Sequence, residues 1–86
     1  MAKVEIYSKK TCSYCNSAKK LLEQKGVVYT EIAVDQDSAK LEEMLARSNG
    51  RRTVPEIFIN DKLIGGYDDL LALEKAKRLD GLLTEE

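Results

Sequence analysis

The 86-residue chain contains no histidine. That removes histidine-assisted acid–base chemistry and histidine metal sites. A structural zinc ion takes four Cys or His ligands as a rule, and two cysteines alone do not supply them within one chain. Charge of one sign is not in excess either: 14 Lys and Arg stand against 15 Asp and Glu, for a net −1. A nucleic-acid surface needs a basic stripe or patch. The pairs Lys9-Lys10 and Lys19-Lys20 are too short to make one, so no nucleic-acid partner is expected. Long hydrophobic runs are missing as well. None approaches the roughly 20 residues of a membrane span, and the first residues, Met1 to Ile6, lack the apolar region of a secretory signal. The expectation is a cytoplasmic protein without membrane contact. Thiols are kept reduced there, and a cysteine pair is more often catalytic or metal-binding than structural.

What is present is an ordinary folding composition, 43% hydrophobic and 34% charged, which suits a soluble globular chain rather than a disordered one. Its length predicts a single domain over residues 1–86 with a compact core, expected to be monomeric. Residues 3–7 alternate polar and apolar and read as a strand. Ala18, Leu21 and Leu22 give residues 13–25 the stripe of an amphipathic helix, stopped at Gly26. Residues 28–34 are rich in β-branched side chains and read as a second strand. Asp35 to Ser38 form a polar turn able to cap a helix. Leu41, Met44 and Leu45 mark that helix, and Asn49-Gly50 ends it. A short buried strand covers 56–59, Asn60-Asp61 suits a tight hairpin turn, and 62–65 return as a fourth strand. Asp68-Asp69 open a last helix with Leu70, Leu71, Leu73 and Ala76 inward. Leu79, Leu82 and Leu83 carry its apolar pattern past a break near Gly81. The order β-α-β-α-β-β-α predicts an α/β thioredoxin fold: a four-stranded mixed sheet flanked by three helices, with the first two strands parallel.

The one stretch with evident chemistry is Thr11-Cys12-Ser13-Tyr14-Cys15. It holds both cysteines as Cys-x-x-Cys, after a strand and at the start of a helix, which reads as a thiol redox centre. The first turn of a helix has backbone N–H groups without internal partners and partial positive charge. A thiolate there is stabilised, so its pKa falls from about 8.5 toward the range of roughly 3.5–7.5. Cys12, at the edge of the turn, is the expected exposed nucleophile. Cys15, three residues on and further in, is placed to attack a mixed disulfide formed on Cys12.

With this motif in this order of elements, the chain resembles the glutaredoxin family. The resemblance rests on the segment Lys9 to Cys15, on Thr53-Val54-Pro55, and on the segment Gly65 to Asp69, and it spans essentially the whole chain. It implies glutathione-dependent reduction of protein disulfides and protein–glutathione mixed disulfides, with ribonucleotide reductase one family-level protein substrate. Catalytic roles fall to Cys12 and Cys15. Lys9 matches a lysine that binds the glycine carboxylate, and Tyr14 an aromatic ring beside the ligand. Thr53 and Val54 match a backbone pair that bonds the cysteinyl part, and Pro55 the family's cis-proline. Gly66, Tyr67, Asp68 and Asp69 match the segment that holds the γ-glutamyl end. A further contact from the second helix has three candidates here: Lys40, Glu42 and Glu43. The physical chemistry agrees. Glutathione carries two carboxylates and one ammonium, so its site needs a cation at one end. At the other it needs an anion-accepting helix start with a carboxylate, and between them free backbone. Gly65 and Gly66 permit close approach. Arg51 and Arg52 read as solvated charge.

Two positions depart from the family pattern. Ser13 stands where dithiol members commonly have proline, and Tyr67 where a further cysteine is frequent. Ser13 motivates an alternative function, a [2Fe–2S] carrier in which Cys12 and glutathione hold a cluster between two subunits. A second alternative is a glutaredoxin-like redoxin reduced by thioredoxin reductase.

Overall fold

The computed structural model describes residues 2–84. Four strands, β1 (Val4–Ser8), β2 (Tyr29–Ala33), β3 (Glu56–Ile59) and β4 (Lys62–Gly65), form one sheet in the order β2-β1-β3-β4. β1 runs parallel to β2 and antiparallel to β3, and β3 and β4 form a hairpin. Asn60 and Asp61 both take positive φ, 52° and 67°, as a two-residue turn matched to strand twist requires. The helices are α1 (Ser13–Gln24), α2 (Ser38–Arg47), α3 (Tyr67–Lys75) and α4 (Leu79–Thr84). This is the thioredoxin fold. Among the described residues no helix is long and apolar enough to cross a membrane.

Strand alternation sorts the core into two layers. Val4, Ile6, Ile57 and Ile59 pack with Ala18 and Leu22 of α1, Leu70 of α3, and Leu79 and Leu83 of α4. Tyr7 and Phe58 point the other way and pack with Val34 and Met44. On that second face Glu5 is not merely the solvated half of an alternating strand. Arg47 of α2 donates to both its oxygens, at 3.1 and 3.0 Å, and to the Tyr7 hydroxyl at 2.7 Å. The same guanidinium lies 4.0 Å from the Phe58 ring centroid, within cation–π range. Tyr7 Oη–H in turn donates to Glu43 at 2.6 Å.

One expectation needs correction. The C-terminal apolar stretch is not a continuation of the third helix but a fourth helix, and the break lies at Lys77, with Gly81 inside α4. The reason is a closing motif. Lys77 takes φ 60°, its N–H donates to the Glu74 carbonyl at 3.0 Å, and Arg78 N–H donates to the Leu73 carbonyl at 2.9 Å. This is the left-handed helix stop that usually recruits glycine, here made by lysine. Gly26 ends α1 with the same pair of bonds. Because α3 stops there, Ala76 is exposed rather than inward, while Leu71 and Leu73 are half-buried.

Candidate active site

The loop after β1 is tied down by Lys10 N–H, which donates to Asp35 at 3.0 Å. It delivers Cys12 to the N-cap of α1 with extended backbone. Cys12 Sγ accepts the Cys15 backbone N–H at 3.1 Å. No acidic residue occupies the first turn, so no carboxylate of that turn opposes the helix-start field at the sulfur. Cys12 and Cys15 are joined as a disulfide. Cys15 is fully buried and Cys12 partly exposed, the order of access that an attacking and a resolving thiol need.

Beside Cys12 lies a groove of about 230 Å³. One wall is the segment before β3, where the Val54–Pro55 peptide is cis and the Val54 carbonyl oxygen stands 3.9 Å from Cys12 Sγ. The other is the start of α3. Gly66, its N-cap, donates N–H to Asp69 at 3.0 Å, and the residues of this helix start, whose first amides lack intrahelical partners, line the groove. Tyr14, 63% exposed, stacks on Tyr67 with ring centroids 6.2 Å apart. Gly65 makes the approach of α3 to the sheet possible. Its φ is +119°, and a Cβ there would collide with the Asp69 carboxylate. Gly65→Ala is accordingly expected to cost about 1–3 kcal/mol and to displace Asp69 from its cap. Thermal unfolding checks this, and an unchanged melting temperature would refute it.

The structure thus brings Tyr14, Thr53, Val54, Pro55, Gly66, Tyr67, Asp68 and Asp69 to one groove next to Cys12. Lys9 is not among its lining residues. It lines a separate cleft with Lys10, Lys19 and Glu31, where Lys19 pairs with Glu31 at 2.9 Å. Nor do Lys40, Glu42 or Glu43 line the groove; Glu43 is engaged by Tyr7. Arg51 does line it.

A residue with no assigned role in the sequence reading stands behind this wall. Glu56 is fully buried. Its Oε2 accepts Thr53 Oγ1–H at 2.8 Å and lies 3.4 Å from Arg51 Nε, while Oε1 has no partner. The available signal was a carboxylate inside the apolar run Pro55 to Ile59. Burial pushes its pKa above the ordinary carboxylate value, as does nearby Asp69, against the opposing pull of Thr53 and Arg51. The fold therefore disfavours the ionised form, and the linkage sign follows. Stability attributable to Glu56 is greatest below the unfolded-state pKa. It falls as pH rises through the window up to the folded-state pKa. Glu56→Gln is expected to remove that descent. Urea midpoints of both proteins across mildly acidic pH test it, and parallel curves would refute it.

Comparison with known proteins agrees with this geometry. The Glutaredoxin family model matches residues 4–64. Glutaredoxin 3 of Escherichia coli strain K12 is 57% identical over 83 residues, covering 96% of this chain and 99% of that protein. The crystal structure of the buckwheat glutaredoxin–glutathione complex superposes with a TM-score of 0.86 at 35% identity, covering 96% of this chain and 77% of that one. The solution structure of a Brucella melitensis glutaredoxin gives 0.83 at 44% identity, with 96% and 89% coverage. A cysteine pair at a helix start beside a peptide-sized groove, carried on this fold and in this company, makes the chain a member of the glutaredoxin family and a thiol–disulfide oxidoreductase.

Proposed function

We propose that the chain uses glutathione to reduce protein–glutathione mixed disulfides and protein disulfides. The observation that carries this is the groove itself. It places bondable backbone at Val54 beside the Cys12 sulfur and a helix start with Asp68 and Asp69 across from it. Extended peptide pairs with free backbone. The α3 amides suit the γ-glutamyl carboxylate and the aspartates its ammonium. Support comes from the buckwheat relative, whose structure is described as a glutathione complex.

The chemistry follows from thiolate exchange. The Cys12 thiolate attacks the glutathione sulfur of a mixed disulfide, and the protein thiolate leaves and takes a proton. A second glutathione thiolate attacks the glutathione sulfur now held on Cys12, releasing glutathione disulfide and restoring the Cys12 thiolate. With a protein disulfide, Cys12 first forms a mixed disulfide with the protein. Cys15 then attacks Cys12 Sγ, the protein leaves reduced, and the Cys12–Cys15 disulfide remains. The proposal places the chain in the cytoplasm as a monomeric single-domain protein, acting on glutathionylated or disulfide-bonded proteins, with ribonucleotide reductase one of the substrates to test.

Turnover of a glutathionylated peptide should be supported by glutathione with glutathione reductase and NADPH. Activity only with thioredoxin reductase would overturn this reading in favour of the redoxin alternative. The [2Fe–2S] alternative draws Cys12 and glutathione from each of two subunits; a colourless protein after anaerobic reconstitution with iron, sulfide and glutathione would count it out.

A further inference from the structure

Glutathione and the protein it is leaving cannot share one groove. A thiolate attacks a disulfide sulfur in line with the bond it breaks, so the glutathione sulfur has Cys12 on one side and the departing protein sulfur on the other. With glutathione in the groove, the protein needs a second surface beside it. One adjoins. A cleft of about 280 Å³ is lined by Ser17, Lys20, Leu21 and Gln24 of α1 and by Tyr67 and Leu71 of α3. Tyr67 also lines the groove, where its ring stacks on Tyr14. The two hollows are therefore continuous at that tyrosine.

Spacing makes this cleft a track. Residues 17, 20, 21 and 24 share one face of α1, as 67 and 71 share one face of α3. Both helices pack on the same side of the sheet, through Ala18, Leu22 and Leu70, and the cleft is the outer seam between them. From Tyr14 to Gln24 the helix rises about 15 Å, the length of about five residues of extended chain. Leu21 and Leu71 are half-buried along the seam. Lys20 is the one charged residue that lines it. The lysines around it are neutralised: Lys19 meets Glu31 at 2.9 Å, and Lys25 meets Glu74 at 2.6 Å and Asp80 at 3.0 Å. Among the described residues Lys20 has no ion pair. An apolar wall with one unpaired cation complements a segment that carries an apolar side chain and a carboxylate, and it disfavours a basic segment. A second copy set symmetrically on the same seam would bring lysine to lysine.

We propose that the seam between α1 and α3 seats the protein side of the mixed disulfide, with an apolar side chain against Leu21 and Leu71 and a carboxylate at Lys20. This rests on the glutathione reading above and names the class of substrate that it favours. The chemistry is unchanged: the bond from Cys12 to the glutathione sulfur forms as the glutathione–protein bond breaks, and the protein thiolate leaves and takes a proton. The seam holds the leaving chain while that occurs.

The test uses four peptides, each with one glutathionylated cysteine between two flanks of five residues. The flanks hold glycine and serine alone, or add leucine, leucine with glutamate, or leucine with lysine. Wild type, Lys20→Glu and Leu71→Ala turn them over with glutathione, glutathione reductase and NADPH. In kcat/KM, wild type should favour the leucine peptide over the glycine–serine one by about tenfold. It should favour glutamate over lysine by about threefold, the scale of an exposed ion pair. Lys20→Glu should reverse the charge preference and keep the leucine preference. Leu71→Ala should lose most of the leucine preference and keep the order of charges. All three proteins should turn over the glycine–serine peptide alike, which a folding defect would not allow. Wild type indifferent to its flanks, an unreversed charge preference in Lys20→Glu, or an undiminished leucine preference in Leu71→Ala overturns the seam as the protein's seat. If wild type turns over the glycine–serine peptide with glutathione, such a result removes this proposal alone. No turnover of any peptide with glutathione removes the glutathione reading and this proposal with it.

Discussion

Cys12→Ser is expected to abolish both exchange reactions, by on the order of 10³-fold or more, the scale on which loss of a catalytic nucleophile acts. Cys15→Ser should retain most reduction of glutathionylated peptide and lose reduction of protein disulfides. The asymmetry follows from access and field. Cys12 is partly exposed, its Sγ stands 3.9 Å from the Val54 carbonyl oxygen on the groove wall, and it already accepts a backbone N–H at the start of α1. A serine hydroxyl there stays protonated and cannot attack a disulfide sulfur as a thiolate does. Cys15 is fully buried behind it, so it cannot meet a protein disulfide directly. It reaches a sulfur only once that sulfur is bonded to Cys12. A mixed disulfide with glutathione is resolved by a second glutathione without it; a mixed disulfide with a folded protein is not. Initial rates on a glutathionylated peptide and on a protein disulfide, for both variants, decide the matter. Equal loss from both substitutions would contradict the division of roles.

Phe58→Ala should lower the unfolding free energy by about 3–5 kcal/mol, the usual range for removing a core aromatic. That is a large part of the roughly 5–15 kcal/mol that a small domain has. Phe58 is 1% exposed and meets Tyr7 edge-on at 5.7 Å between ring centroids. It is also covered by the Arg47 guanidinium. Truncation would open a cavity between two charged or polar groups and remove the ring beneath a cation that Glu5 and Tyr7 hold from the side. Urea unfolding reads the loss as a shift in midpoint at unchanged slope. Val28→Ala, at a position 78% exposed, should stay within about 0.5 kcal/mol. A Phe58→Ala loss below about 1 kcal/mol would show that the second core layer is not packed as described.

Much of this architecture was legible because its signals are local. The alternation of Val4 and Ile6, the stripe of Ala18, Leu21 and Leu22, the stop at Gly26 and the Asn60-Asp61 turn are each written within a few neighbouring residues. The stop at Lys77 was not legible in that way. Lysine is a good helix former, and only the docking of Leu79 and Leu83 into the core makes its left-handed conformation worthwhile. Gly81, the more obvious breaker, is tolerated inside α4. Glu5 shows the same limit. Alternation marks it as solvent-facing, but Arg47, 42 positions away, claims it.

The sequence by itself determined the identity and order of the elements and the placing of Cys12 at a helix start, because periodicity, caps and turns act over a single helical turn or hairpin. Tertiary structure decided which groups face that sulfur. Segments from three parts of the chain, Tyr14, Arg51 to Pro55, and Gly66 to Asp69, converge only when the sheet pairs β1 with β3 and α3 packs back upon it. That convergence put Arg51 on the groove, left Lys9 in another cleft, and buried Glu56 where one of its oxygens finds no partner. No short-range rule could have sorted those three charges, because their energies depend on burial and on neighbours remote in sequence.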